Sequence, residues 1–533
     1  MLTDGTVLSH GKALNNWVIL TPDAKGSYAN GTWKAVASSV HARGGAQQHI
    51  LKDGRFFQAG GEYIDGPACT AALCPTAEIY DPVADKWTDA ATAPYDIGDT
   101  GSATLGDGRI LDSNRKDNHF EIYDPVADKW TVPGTMPLKS GDENAWAVLQ
   151  NGGVLAVGYE TDGAAVYDPG TGKWTRTPVP SGFNTGDTGG ISLMFDGRVY
   201  VYGLNKVSYI YTPGATATDP GTWAMGPTML NNEAEDEFSD TLPNGMVWGG
   251  LVTKTYGPGV VLQQFDPATN TVSMATPTPD MGNPYPIGYV NLPNGQVMVT
   301  AANANWIYTS NTPPKDEWRP TVTSVVYNSD GTYTLTGTQL SGLISGSDEG
   351  DDMTNAQNFP VVWLQDGAGN VFYCRSFNFS NMMPSKGPAS ETCQFTTPKN
   401  LPEATYSLYV SAVGVQSKTA VTFTPGMGAM VGGDAGAGTA DSGGSGDTSS
   451  GMDAATQSGD AAGTSSSGLT GDDGGGTLAD GGRSQGDGAT GTSSPSGCGC
   501  RAAGDSRGPA RAAALVLVGL ILTRWRRRRT KRV

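Results

Sequence analysis

The chain alternates short apolar runs with turn residues along its first 320 positions, and the alternation repeats. The segments Glu78 to Trp87, Glu121 to Trp130 and Ala165 to Trp174 match closely, with Tyr seven residues before Trp in each. Looser copies are Tyr211-Thr212-Pro213 with Trp223, and Phe265-Asp266-Pro267 with Val272 where Trp would fall. Val18-Ile19-Leu20 with Trp33 opens the series and Trp306-Ile307-Tyr308 closes it. The anchors Leu20, Tyr80, Tyr123, Tyr167, Tyr211, Phe265 and Tyr308 are spaced by 60, 43, 44, 44, 54 and 43 residues. A second marker keeps the same period. Asp4-Gly5, Asp53-Gly54, Asp107-Gly108, Asn151-Gly152, Asp196-Gly197, Asn244-Gly245 and Asn294-Gly295 each precede an anchor, and such dipeptides tolerate the positive φ of a hairpin turn. With β-rich runs such as Arg198 to Tyr202 between the markers, each unit reads as four antiparallel strands. Seven units predict an all-β fold, a seven-bladed β-propeller over 1–319, which leaves only short strand edges. The repeated Tyr and Trp are expected to pack blade on blade and to find partners for their polar tips.

Residues 320–425 keep the alternation and lose the repeat. Six or seven short runs, among them Val361-Val362-Trp363-Leu364 and Tyr406 to Val410, predict an immunoglobulin-like β-sandwich. From 426 to 497 the chain is nearly all Gly, Ser, Ala, Thr and Asp without an aromatic residue. It holds too little apolar surface to offset the entropy of ordering, so it reads as a disordered stalk. The segment 498–533 holds Cys498-Gly499-Cys500, an apolar run from Ala512 to Leu522 expected as a short helix, and an Arg-rich end. Eleven residues span only about 16 Å of helix, less than a bilayer core.

Composition removes several classes of function. The chain has 533 residues and a net charge of −18, and residues 1–500 carry 24 basic against 51 acidic side chains. That balance disfavours a nucleic-acid partner. A mean hydropathy of −0.31 and the lack of a long apolar run argue against a multi-spanning membrane protein. A Gly content of 75 residues excludes a coiled coil or helical bundle.

The doublet in Ala59-Gly60-Gly61-Glu62-Tyr63, followed by Tyr-Asp-Pro and Trp, resembles the kelch repeat, while Val157-Gly158 and Tyr202-Gly203 keep a single Gly. Propeller followed by sandwich is similar to bacterial kelch proteins of the galactose oxidase type, over about residues 1–425. The resemblance raises a copper-radical oxidase, which needs two His ligands, two Tyr and a Cys bonded to one Tyr. This chain has His10, His41, His49 and His119, none after residue 119, and no Tyr-His pair; the metal ligands of that chemistry are therefore not expected. Sialidase boxes are also missing from the sequence, and its two Gly-x-Ser-x-Gly matches, Gly482 to Gly486 and Gly504 to Gly508, lie beyond the β-rich region. The order Gly-Cys-Gly-Cys, apolar stretch, Arg-rich end resembles the C-terminal sorting signal of myxobacterial surface proteins, the MYXO-CTERM type. It implies export, processing near Cys498 and Cys500, and retention at the cell surface, the outer envelope, through the tail. No signal peptide is visible before Asp4-Gly5 and blade one lacks room for its inner strand, so the gene product is expected to begin upstream. In an exported protein Cys69 with Cys74, and Cys374 with Cys393, are expected as local disulfides, against four free thiols in a reducing compartment.

One constellation carries candidate chemistry. Acidic residues precede the inner strand in four consecutive blades: Asp99, Asp142-Glu143, Asp187 and Glu235-Asp236-Glu237. Equivalent positions in a ring lie on one face, which predicts a negative mouth for a cation such as Ca²⁺ or a hydroxyl-rich ligand. The acidic segment Ser347 to Asp352 reads as a solvated turn. The expected function is a non-catalytic cell-surface module without a resident cofactor, binding a carbohydrate or a surface protein. The alternatives are a diverged oxidase or glycan-active enzyme, and a structural envelope protein.

Overall fold

In the computed structural model all seven Asp/Asn-Gly dipeptides form tight turns, and their glycines have φ between +75° and +93°. The preceding side chain closes each turn: Asp53 Oδ1 accepts the Arg55 amide at 3.0 Å and Asn244 Oδ1 that of Met246 at 3.1 Å. Strands that leave these turns pair in the register the anchors imply. Tyr80 lies opposite Trp87, Tyr123 opposite Trp130, Tyr167 opposite Trp174, Tyr211 opposite Trp223 and Phe265 opposite Val272. The structure describes residues 1–10, 14–61, 74–186, 190–232, 234, 239–253, 260–275, 287–301, 304–348, 354–427, 429–430 and 501–502. Asp187, Glu235, Asp236, Glu237, Cys69, Cys498, Cys500 and the apolar run 512–522 lie outside the described residues.

The fold is a propeller of seven blades. Blades three, four and five are separate four-stranded antiparallel sheets, and blades two and six contribute four strands each to a larger sheet. Blade one has three strands, Val7–His10, Trp17–Thr21 and Thr32–Ala35, in the second to fourth positions. Blade seven has Gly288–Asn291, Val297–Ala301 and Ala304–Tyr308, with Arg501–Ala502 paired on its outer side. Each neighbouring pair of blades shares an apolar cluster. Trp17, Phe56 and Trp87 join blades one and two, and Val7, Leu20, Val290 and Met298 join blade seven back to blade one. The five other interfaces are filled likewise. The ring is closed by burial, each aromatic pair adding about 0.5–1.5 kcal/mol beyond its area. The Trp tips of blades two and three are satisfied as the sequence implies, Trp87 Nε1 donating to Ala37 O at 2.9 Å and Trp130 Nε1 to Ala91 O at 2.7 Å, each on the link from the previous blade, but Trp174 Nε1 of blade four is buried without a partner among the described residues.

Two further sheets make the sandwich. One orders Arg375–Phe377, Ser390–Thr396, Tyr333–Thr338, Thr321–Tyr327 and Ala429–Met430; the other centres on Pro360–Gln365 and Tyr406–Ala412. The sandwich meets the turn face of the ring. A Cβ on Gly5 would strike the Tyr373 ring at 2.5 Å and one on Gly54 the Ser376 carbonyl at 2.8 Å. From the sandwich a hairpin, Gly346–Asp348 and Thr354–Ala356, enters the ring. Asp348 pairs with Ser239 of blade six, and Thr354 and Asn355 pair in parallel with Gln47 and Gln48 of blade two. The strands flanking the acidic segment, read from sequence as a solvated turn, are thus paired into a ten-stranded sheet that spans the channel. Ser239 and Gln47 begin their inner strands, so the hairpin reaches the end opposite the sandwich.

The expected Cys374–Cys393 disulfide does not form: both residues are free and buried. Cys374 lies between the strands Val371–Tyr373 and Arg375–Phe377, where the chain passes from one sheet to the other, and Cys393 lies within the strand Ser390–Thr396. The Cys374 amide donates to Val362 O at 2.8 Å, while Cys393 lies opposite Leu335. Both sit in the apolar core, where burial holds the thiols protonated. Cys393 is pushed up to about 12, with Glu391 adding to the effect, and Cys374 higher still. Cys74 is disulfide-bonded.

Candidate functional site: the mouth of the ring

The segment that leads into each inner strand must turn sharply into the channel. In three blades the residue eight positions before the turn Asp or Asn does this with a left-handed backbone: Gly45 at φ +56°, Asp99 at +51° and Glu143 at +55°. Such a conformation suits Gly, and Asp more than Glu. In blades three and four it carries an acid instead. Glu143 N donates to Asp99 O at 2.9 Å, and Thr100 forms a β-bridge with Asp142. The two blades thereby bring Asp99, Asp142 and Glu143 together, with one ligand oxygen from each within 4.8 Å of the others. Asp99 and Glu143 are buried and Asp142 half-buried. Of the seven acidic residues expected at the mouth, these three converge and the other four lie outside the described residues.

Sequence reasoning missed the basic residue that completes the group. Arg115 rises from the turn between the second and third strands of blade three. It holds Asp142 Oδ1 through Nε at 2.6 Å and binds Asp99 through Nη2. The guanidinium meets the demand of these carboxylates that a bare cation would otherwise meet. Arginine among carboxylates leaves an array of donors and acceptors, suited to hydroxyl groups as much as to an ion. The only sequence signal for it is the pair Arg115-Lys116 in an acidic neighbourhood; Lys116 Nζ in turn binds Asp96 at 2.6 Å.

The histidines do not assemble. His49 is fully buried between Ser102 Oγ and Thr104 Oγ1, both at 2.9 Å, and desolvation lowers it to about 3. His41 is 3.9 Å from Asp89, and His119 is 2.8 Å from Asp117. His10 packs on Trp17. Among the described residues no group of His, Cys, Asp or Glu with metal-binding proximity contains a histidine. The donor set does not fit the copper site implied by the resemblance, and no step is derived through copper.

A second feature lies beneath the mouth. In blade two Glu78 is buried with Arg43, Nε to Oε2 3.1 Å, and takes the Val40 amide at 2.7 Å. In blade three the equivalent Glu121 faces Asp112 across the strands.

No family model matches the chain, and no curated protein matches it. Among solved structures, one similar to it is a fungal alcohol oxidase with catalytic diversity among the AA5 family, in complex with copper. The identity is 15% and the TM-score 0.45, over 79% of this chain and 94% of that one. Another is YjhT, at 15% identity and a TM-score of 0.38, over 51% of this chain and 95% of that one.

Proposed function

We propose that this protein is a non-catalytic binding module whose propeller mouth takes a hydroxyl-rich ligand, a glycan or the glycan of a surface protein. The observation that carries the reading is the convergence of Asp99, Asp142 and Glu143 from two blades around Arg115. Carboxylates accept hydrogen bonds from vicinal hydroxyls, and the guanidinium donates to ring and hydroxyl oxygens. Because Arg115 already occupies Asp99 and Asp142, a hydroxyl ligand is favoured over Ca²⁺. The low-complexity stalk and the Cys498/Cys500 tail support a further part of the proposal, display at the cell surface with the ring held away from the envelope.

A glycan array probed with the full chain, followed by calorimetry on retained sugars, tests this. Arg115→Ala and Asp142→Ala are each expected to weaken binding at least about tenfold, the loss of one charge-assisted hydrogen bond. An array without retained glycans overturns the reading. Product analysis on the same sugars separates binding from hydrolysis, and a calcium titration of the same variants separates hydroxyl recognition from cation binding.

A further inference from the structure

Blade three buries two carboxyl groups without a counter-ion among the described residues. Asp112, in the strand Ile110–Ser113, and Glu121, in the strand His119–Asp124, are direct register partners. Both side chains are 0% exposed. Among the described residues no side chain hydrogen-bonds to Asp112 Oδ2 or to either carboxyl oxygen of Glu121, which has only the Tyr95 amide near it. The other Asp112 oxygen takes the Ser113 amide at 2.7 Å and the Thr100 hydroxyl at 3.3 Å.

Blade two is an internal control. Its Glu78 occupies the same repeat position, but the residue opposite is Gln58 and a guanidinium from Arg43 binds the acid. Arg43 stands ten residues before Asp53; the residue ten before Asp107 is Ile97, buried in the apolar interface. Blade three has therefore exchanged the arginine for isoleucine and the opposing amide for a second acid. The nearby cations are engaged elsewhere, Lys116 with Asp96 and Arg115 with Asp99 and Asp142. The charged groups acting on Glu121 are Asp112 and, more weakly, Asp96; only the Tyr95 amide works in the opposite direction. Burial is the largest cause, raising Glu121 to about 9 and Asp112 well above the carboxylate range.

Two carboxylates opposite one another and shut off from water do not both ionise. A protonated carboxyl also gains the donor that an anion lacks, and its neighbour can accept from it. We propose that Asp112 and Glu121 form a protonated acid pair that latches the two strands of blade three, a pH-sensitive lock beneath the turn that carries Arg115. At neutral pH the pair shares one proton and carries one negative charge, and at alkaline pH solvent base takes that proton and leaves two carboxylates. Its loss sets like charges face to face across the strands. The turn from 114 to 118 joins these strands, so release of the latch loosens the arm that holds Arg115 at the mouth. That last consequence rests on the mouth being the binding site; the latch does not.

Infrared spectroscopy of the full chain in heavy water tests the pair without a variant. The carbonyl stretch of a buried protonated carboxyl is expected at neutral pH and should fade as the pH passes about 9. The double variant Asp112→Asn, Glu121→Gln, which keeps the shape of both side chains, should lack it. Hydrogen exchange supplies the second readout. After correction for intrinsic rates, amides from Ile110 to Asp124 should lose protection above the transition, about tenfold per pH unit for one released proton, and the double variant should stay flat. No protonated-carboxyl band in the native chain overturns the proposal, as does a band that the double variant retains. Parallel exchange profiles also overturn it. Protection restored by added sodium or calcium, in a chain without the band, would identify a bound cation in place of the proton. A glycan array without hits would leave the band unchanged, so the two readings fail separately.

Discussion

His49 shows how the environment of one residue sets its chemistry. Its ring lies between two hydroxyls of the neighbouring blade and has no charged partner, so burial alone lowers it to about 3 from its ordinary 6.5. Between those values the unfolded chain binds a proton that the folded chain does not. Stability from this residue is therefore complete above pH ~6.5 and drains away as pH falls toward 3, by up to about 1.4 kcal/mol per pH unit. Urea unfolding at pH 7 and pH 4.5 should show this loss, and His49→Gln should flatten it. Arg43 and Glu78 give the complementary case. Their side chains are 1% and 0% exposed and are in contact at 3.1 Å, so removing one leaves a bare buried charge. Glu78→Gln or Arg43→Met alone should cost about 3–5 kcal/mol. The double variant should cost less than the two together, which denaturant unfolding of the three proteins measures.

At the scale of elements, the turns and anchors were legible because each is fixed by local chemistry. Asp or Asn closes the turn, Gly supplies positive φ, and Tyr opposite Trp follows from strand alternation. Even the departure at Val272 falls where the register places it. Arg115 and the Asp112–Glu121 pair were not legible. Each depends on which strands face each other and on whether a side chain is buried, and neither property has a periodic signature. The disulfide expectation failed for the same reason. Closeness in sequence did not show that Cys374 sits where the chain passes between the two sheets, bonded to Val362, while Cys393 lies opposite Leu335. Turn glycines divide by what surrounds them. A Cβ on Gly152 meets nothing within 4 Å, while one on Gly245 would lie 2.6 Å from the Trp318 ring, itself stacked on Phe195 at 4.1 Å. Gly152→Ala should cost only backbone strain, about 1–2 kcal/mol. Gly245→Ala should cost about 1–3 kcal/mol more, from overpacking. Thermal unfolding of the two variants side by side checks the difference.

For the molecule as a whole, the informative contact is the hairpin that the sandwich sends into the ring. The periodicity of the first 320 residues exposed the propeller, and its loss exposed a second β-rich region, but nothing periodic indicated that one would thread the other. Through the hairpin, blades two and six become parts of a single sheet, although they are not neighbours in the chain. Turn-face contacts such as Arg375 Nη2 to Asp53 O at 2.7 Å and Gln150 Nε2 to Leu343 O at 2.8 Å tie the same two parts together. Ring and sandwich should therefore unfold in one cooperative transition by calorimetry. Replacing residues 346–356 with a short Gly-Ser link removes the channel pairings and leaves the turn-face contacts in place. The ring should then melt about 3 °C lower, the effect of roughly 2 kcal/mol in a domain of this size, and ahead of the sandwich. If the variant and the native chain give superimposable single transitions, the hairpin merely fills the channel and contributes nothing to holding the blades in one sheet.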